Sequence, residues 1–555
     1  MLIKERIKDL IEHSCMKAVS DNRISAISFP SVKIEYPKDE KHGDYSTPLA
    51  LESAKILKES PMGIGSILKE YIEGSEIIEK IEVVKPGFIN IFLSLDFLHK
   101  TLISAIDEGE NYGKCGRGTP KMVNIEFVSA NPTGPLNIVS ARAAALGDTL
   151  ANLLEARGDV VDREYYINDY GNQVYLLGKS VLHRCKEIMG ERIDFPEDGY
   201  HGEYIKDIAR YLCENHKEET LSFDNEDDQI DYISRKAVDY NVRGHKSDLE
   251  RFNVRFDTWY NERSLHESGK VTKTLDNLET KGVIYNDNGK RVFEATAFGD
   301  DKDRVVVRDD NRPTYLLADI AYHKDKMERG YDLLIDIWGP DHHGYISRIV
   351  GAMKALEFDE DMFRILIAQQ VNLIMDGELV KMSKRLGKFS TMSELIDEIG
   401  VDVARYFFIM RSLDSHLDFD LALAKKQSSE NPVFYLQYAH ARICSIFREA
   451  EKIGTEYFPS GSTAEYLNNP EAIALLKRLA LFPEEIFDAA FYFEPHRLAN
   501  YLLKLAQGFH KFYTEHRVLS TNREMTNAYL SLCDGVRIVL NNGLKLLGIS
   551  APEMM

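Results

Sequence analysis

Hydrophobic and polar positions change rhythm along this chain, and each change predicts a different kind of architecture. Up to about residue 110 the pattern is that of a small α+β unit. Apolar residues recur at helical spacing from Leu2 to about Ala18, and Ser31–Tyr36, bounded by Pro30 and Pro37, alternates as a strand does. Lys80–Val84 and Phe88–Leu93, joined through Pro86-Gly87, predict a hairpin that closes the unit. The Gly/Lys-rich run from Tyr112 to Pro120 marks the first boundary.

From about 121 to 400, strand-like runs (Met122–Val128, Val161–Ile167, Leu333–Trp338) alternate with helical ones such as Ala141–Ala156. Alternation of this kind predicts a parallel sheet with helical crossovers. Inside it, residues 175 to 260 are mostly charged and helical, which predicts an insertion whose charge is largely a solvated face. After about 400 strand signals fade, and long helical patterns at Tyr435–Ile443 and Val536–Leu547 dominate. The expected fold class is therefore multidomain α/β. An N-terminal α+β domain spans 1–115, a Rossmann-type parallel-sheet domain spans 121–400 with a helical insertion at about 175–260, and an all-helical domain spans 401–555.

Length agrees with this division, since 555 residues exceed what one core supports. No run of about 18 apolar residues is present, so no membrane span is expected. The N-terminus runs into an acidic amphipathic pattern unlike a targeting peptide, which makes the cytoplasm the expected compartment. Six scattered cysteines without a C-x-x-C pair suggest neither disulfides nor a zinc knuckle, only small buried side chains. A net charge of −20 does not exclude a polyanionic partner, because the field a ligand meets is local.

Two stretches carry chemistry. In the first, a strand ends at Asn131-Pro132-Thr133-Gly134-Pro135 and a helix follows, a geometry that aims backbone N–H groups and a positive helix end at an anion. Alone it is weak, because many α/β proteins contain such a loop and bind nothing there. In the second, Lys381-Met382-Ser383-Lys384-Arg385-Leu386-Gly387 follows an Asp376-Gly377 turn and precedes a helix capped at Ser390 or Thr391. Three cations and a glycine can close over a triphosphate, although such a cluster in isolation is ordinarily solvated surface. Trp338-Gly339-Pro340-Asp341-His342-His343-Gly344 offers two histidines, but adjacent side chains point apart and no further ligand sits at metal spacing, so no metal site is expected.

The string from Glu126 to Arg142, continued through Ala143–Asp148 and Tyr166–Gln173, closely resembles the signature region of arginyl-tRNA synthetases of the bacterial type, and Lys381–Lys384 is similar to the lysine loop of class I aminoacyl-tRNA synthetases. That resemblance implies an arginine–tRNA ligase, which activates L-arginine with ATP to arginyl-adenylate and transfers it to the 3′ end of tRNA(Arg), Mg2+ accompanying ATP. By the same resemblance Lys381 and Lys384 contact the triphosphate and Ser383 shapes their loop. Gly339, Asp341 and His342 meet ATP, as do Asn137 and Ser140, while Glu126 and Asn131 lie by the α-amino group.

A guanidinium presents five donors in a planar fork, so its selection needs a carboxylate beside an aromatic wall. Tyr315 and Asp319, four apart, supply that pair; without the resemblance they would read as core packing and a surface charge. Glu262 is the implied second carboxylate, and Gln369 faces the substrate's backbone side. The first 110 residues resemble the family's tRNA-elbow domain, in which Tyr45 and Phe88 are either base-stacking or core, and residues from Asn431 onward resemble its anticodon domain. A monomer is expected.

One tetrapeptide departs from the family. Its His-x-Gly-His reads Asn137-Ile138-Val139-Ser140 here, and Pro340 replaces an alanine in the adenosine turn. Asn137 and Ser140 keep a donor at each histidine position, whereas Val139 places a β-branched side chain where glycine lets a ligand approach the backbone. Two readings follow. The favoured one is a working ligase with a rearranged phosphate loop; the other is a catalytically silent paralogue that binds tRNA or arginine without aminoacylation. A nucleotidyltransferase of the same superfamily would have no use for the anticodon-like domain.

Overall fold

The computed structural model describes residues 2–25, 29–116, 119–191, 194–375, 377–379, 391–459 and 465–555. At the N-terminus the helix Ile3–Ser20 buries Ile3, Ile7, Ile11, Cys15 and Ala18, the three-to-four spacing read from the sequence. It packs on the helix Pro61–Ile72, which covers an antiparallel sheet of β1 (Tyr45–Thr47), β2 (Ile78–Val84) and β3 (Phe88–Leu93), ordered β1-β3-β2, so the expected hairpin is present. Ser31–Tyr36 is not a strand. Only Glu35 bridges Ser46, because β1 offers three residues to pair with and Pro37 has no N–H to extend a ladder. Tyr45 is fully buried and donates to Glu484 at 2.9 Å, which makes it core rather than a base-stacking surface; Phe88 is half-buried.

The second unit starts with β4 (Met122–Glu126), β5 (Val160–Ile167) and β6 (Thr258–Asn261). A small antiparallel sheet of β7 (Ile284–Asp287), β8 (Lys290–Phe293) and β9 (Arg304–Val307) follows, and then β10 (Leu333–Trp338) and β11 (Phe363–Ile367). The large sheet is ordered β11-β10-β4-β5-β6, with every pair parallel. From β4 the chain winds outward through β5 and β6, then returns to the other side as β10 and β11. The direction of winding therefore reverses between β4 and β10, where open α/β sheets bind ligands at the carboxyl ends of their strands.

Two ranges differ in detail from the reading of the sequence. The helices between β5 and β6 run from Asn172 to Arg251, and the sheet resumes at Thr258 inside the stretch read as insertion. Beyond residue 400, β14 (Leu417–Asp420) pairs in parallel with β12 (Val371–Met375), whose other neighbour is β13 (Glu378–Leu379). Thr258–Asn261 and Leu417–Asp420 have four residues each, too short for alternation to stand out. The remainder is helical: Pro432–Lys452, Pro470–Phe491, His496–Glu515 and Arg523–Leu546 pack on one another.

The helix Ile138–Arg157 is buried around its circumference, from Ile138 and Ala141 to Leu154 and Ala156. One side packs on β4 and β5, another on Pro470–Phe491 and Val401–Ile409. Gly147 permits the closest of these approaches, since a Cβ there would lie 2.3 Å from the Phe127 ring. The helix thus runs from the ligand edge of the sheet into the C-terminal helices.

Candidate active site

Strand β4 ends at Glu126, and the chain then turns through Val128 (φ +69°) and Ser129 (φ +37°). Left-handed backbone at a valine is strained and persists only where the surroundings impose it. Here Ser129 Oγ donates to Glu126 Oε1 at 2.8 Å and accepts from the Tyr166 N–H at 3.1 Å, tying the turn to β5. The next carbonyls are held in sequence. Tyr165 Oη lies 3.1 Å from Ala130 O, Asn241 Nδ2 donates to Pro132 O at 2.8 Å, and His245 Nε2 lies 2.7 Å from Gly134 O. Burial lowers the His245 pKa, so the ring is neutral, with Nε2 donating and Nδ1 facing the Tyr165 hydroxyl at 3.0 Å. Asn241 and His245 belong to the helix Glu226–Arg251, so the insertion braces the first-motif loop. Asn131 itself is exposed and donates to Gln173 Oε1 at 2.9 Å.

At the end of this loop Asn137 is the N-cap of the helix Ile138–Arg157. Its Oδ1 accepts from the Ser140 N–H at 2.9 Å and faces Ser140 Oγ at 3.2 Å. The substituted tetrapeptide is thus an N-cap in which Ser140 donates from both its N–H and its hydroxyl to the Asn137 amide oxygen, and the Ile138 and Val139 N–H groups at the positive helix end retain no helical acceptor. The Leu136 carbonyl accepts from the Met392 N–H at 2.8 Å, and Met392 opens a helix capped at Thr391, one of the two caps the sequence offered, in a capping box with Glu394. The segment that follows the lysine loop is therefore pinned to the first motif. Lys381, Ser383 and Lys384 themselves lie outside the described residues.

Asp319 and Tyr315 share a face of the helix Tyr315–Glu328. Tyr345 donates to Asp319 Oδ2 at 2.8 Å. Burial raises the Asp319 pKa to about 7 against the Tyr345 hydrogen bond, and the nearby Glu262 and Glu126 charges add to the rise. Glu262, buried just after β6, accepts from Asn168 Nδ2 at 2.8 Å once that amide is oriented by its partners. Asp169 holds the turn at Glu262 by accepting from the Arg263 N–H and from Asn261 Nδ2, at 2.8 and 3.0 Å. Burial pushes the Tyr166 hydroxyl pKa far up, and the same three carboxylates, Glu262, Asp319 and Glu126, add to the rise. The sequence-predicted carboxylates thus converge. Tyr315, 53% exposed, stands at the mouth, where Tyr170, Gly171, Glu262, His266 and Arg312 join it around a cleft of about 380 Å³.

Gly339, Asp341 and His342 occupy the turn after β10, and among the described residues beyond its chain neighbours no atom lies within 4 Å of where a Gly339 side chain would start, which leaves its backbone open to a flat ligand. Gln369 follows β11, its carbonyl accepting from Arg142 Nη1 at 2.7 Å. The fully buried Arg142 also donates to Ser412 O and Ser415 O, both at 2.9 Å, and burial lowers its pKa to about 10. Residue reasoning missed Tyr345, Asn168, Ser129, Arg142, Asn241 and His245. Asn168 and Arg142 stood inside the strings that carried the resemblance, whereas Asn241 and His245 sit in a charged tract without a distinguishing signal. Among the described residues, Glu471, Glu515 and His516 could offer ligands to a cation, but Lys511 already pairs with Glu471 at 3.1 Å.

An anion-facing helix end, an acidic pocket and an open turn all lie at the carboxyl edge of one parallel sheet, the layout of a class I aminoacyl-tRNA synthetase. Three family models match: the arginyl-tRNA synthetase N-terminal domain at residues 5–93, the class I (R) tRNA synthetase catalytic domain at 101–410 and the DALR anticodon-binding domain at 436–555. An arginine–tRNA ligase of Leptospira interrogans is 47% identical, with 99% of each chain covered, and one of Bacillus licheniformis is 45% identical, with 100% covered in each. Thermus thermophilus arginyl-tRNA synthetase shares the fold, with a TM-score of 0.77 at 21% identity over 100% of both chains. The chain belongs to the arginyl-tRNA synthetases, a class I family.

Proposed function

We propose that this chain is a working arginine–tRNA ligase that forms arginyl-adenylate from L-arginine and ATP and passes the arginyl group to tRNA(Arg). The convergence of Glu262, Asp319 and Glu126 at the switch-point crevice carries the reading: a row of acids beside Tyr315 suits a guanidinium at one end and an α-ammonium at the other. Asn131 supports the ammonium end and Gln369 the substrate backbone. ATP lies along the Gly339, Asp341 and His342 turn, its phosphates toward the Ile138 and Val139 N–H groups, with Asn137 Nδ2 as a further donor. Lys381 and Lys384 neutralise the triphosphate as pyrophosphate leaves, Ser383 shapes their loop, and Mg2+ travels with the nucleotide, bound mostly by phosphate and water.

In this reading residues 1–115 hold the tRNA elbow, 121–400 carry catalysis and 401–555 bind the anticodon stem-loop. Exposed Tyr438 stacks on His510 at 5.8 Å, and Arg442 lies 4.9 Å from the Tyr513 ring, an aromatic and cationic face of the kind unpaired bases use. The protein acts as a monomer in the cytoplasm. Arginine-dependent ATP–pyrophosphate exchange, measured with purified protein and tRNA(Arg), tests the activity. Exchange is expected, and Asp319→Ala should abolish it while tRNA affinity stays within about twofold, since no tRNA contact is assigned to that buried carboxylate. Absence of exchange with tRNA still bound would establish the silent alternative, which no feature of the pocket favours.

A further inference from the structure

Asp336 on β10, Glu126 on β4 and Glu164 on β5 stand at one level, since Asp336 is in register with Glu126 and Glu126 with Glu164. Residues in register on neighbouring strands project to the same face, so three carboxylates form one row, and all three are buried. Like charges so placed repel. The row is stable because one face of the helix Tyr315–Glu328 and the residue after it lay Tyr322, His323, Lys326 and Arg329 across it. His323 Nε2 reaches Asp336 Oδ2 at 2.7 Å, and Arg329 grips both oxygens of Glu164 at 2.6 and 2.9 Å. Fully buried Lys326 donates to Asp336 Oδ1 at 2.7 Å and to Glu126 Oε2.

The division of protons singles out Lys326. The Tyr322 hydroxyl lies 2.6 Å from Glu164 and 2.9 Å from Glu126, but a phenol has one proton to give, and Glu164 is the nearer acceptor. Lys326 is then the cation that pairs with Glu126 among the described residues. With Ser129 on Oε1 and Lys326 on Oε2, Glu126 keeps lone-pair capacity on Oε1. The helix that supplies Lys326 at its far end presents Tyr315 and Asp319 at its start.

We propose that Lys326 is a positioning residue for arginine activation: it fixes the Glu126 carboxylate so that the free side of Oε1 receives the substrate α-ammonium. This rests on the reading of Glu126 as acceptor of the α-amino group. In pyrophosphate exchange, Lys326→Met should raise the KM for arginine about tenfold or more, the scale of one charged hydrogen bond, with the KM for ATP unchanged. The competitive Ki of guanidinopentanoate, which is arginine without its α-amino group, should not move, and Lys326→Arg should restore most of the loss. If arginine and guanidinopentanoate weaken equally, or the arginine and ATP KM values rise together, Lys326 only builds the core and the proposal falls. Should Lys326→Met fail to fold, the double variant Lys326→Met/Asp336→Asn, which removes the lysine with one of its two acids, is read the same way. Glu126→Gln separates the two ideas. An unchanged arginine KM in that variant overturns the Glu126 reading itself, while a raised one beside a normal Lys326→Met overturns the role of Lys326 alone.

Discussion

Asp319 shows how burial tunes one carboxyl of the proposed arginine pocket. Held near pKa 7 in the free protein by burial beside Glu262 and Glu126, it is largely protonated below that pH and ionised above it. A guanidinium favours the carboxylate. Arginine affinity should therefore rise as pH increases through 7, by up to about tenfold per unit on the acid side, and binding near pH 7 should release a proton. Calorimetry in buffers of different ionisation enthalpy reads both quantities, and an affinity flat between pH 6 and 8 would refute the coupling. Asn137 is the other residue on which chemistry turns. Because its side chain caps Ser140, Asn137→His should remove a cap worth about 0.5–2 kcal/mol. The thermal midpoint should fall and pyrophosphate exchange should not rise, even though histidine is the family's residue. A gain in exchange rate would mean that the loop had simply lost a phosphate donor.

At the scale of elements, the helical insertion changes meaning. Its charge pattern reads as solvated surface, yet its longest helix sends Asn241 and His245 inward to the Pro132 and Gly134 carbonyls. The loop holding Asn131 therefore takes its shape from a segment about a hundred residues further along the chain. Leaving a buried carbonyl unpaired costs roughly 1–3 kcal/mol, and here the loop can escape that penalty only by moving. His245→Phe should accordingly lower kcat/KM for arginine in exchange about tenfold or more, with tRNA binding unchanged in a filter assay. If kcat/KM stays put, the insertion does not hold the loop.

Across the whole molecule, the helix Ile138–Arg157 joins the carboxyl edge of the parallel sheet to the C-terminal helices. Asp148, midway along it, pairs with fully buried Arg405 at 2.6 Å, and Arg405 donates to Leu547 O at 2.8 Å and Phe252 O at 3.0 Å. Asn152, one turn on, donates to Leu546 O at 3.0 Å. Gly548 makes this junction possible, because its φ is +67° and a Cβ would stand 2.4 Å from the Arg405 guanidinium. Gly548→Ala should weaken the docking of the last helix by more than the roughly 1–2 kcal/mol of left-handed strain alone. Earlier proteolysis near the C-terminus would register it, and a wild-type digestion pattern would argue against this junction. The N-terminal unit docks through Glu484, which accepts from the Lys4 N–H and the Tyr36 and Tyr45 hydroxyls.

The succession of an α+β unit, a parallel α/β sheet and a helical C-terminus, and the family, were legible in the sequence. Periodicity and turn chemistry are local, and the Glu126–Arg142 and Lys381–Lys384 strings keep their residues in order. The acids proposed for the arginine pocket could also be named from the sequence, through the resemblance that carries Tyr315 and Asp319, which share one face of a helix. Contacts between distant residues were decided by tertiary structure alone. Register across β10, β4 and β5 lined up Asp336, Glu126 and Glu164, packing brought Lys326 and His245 to their acceptors, and burial moved Asp319 to where a proton matters. The physical reason is that a buried charge takes its partners and its pKa from whatever the fold places within a few ångströms, and neither is written in its own neighbourhood of the chain.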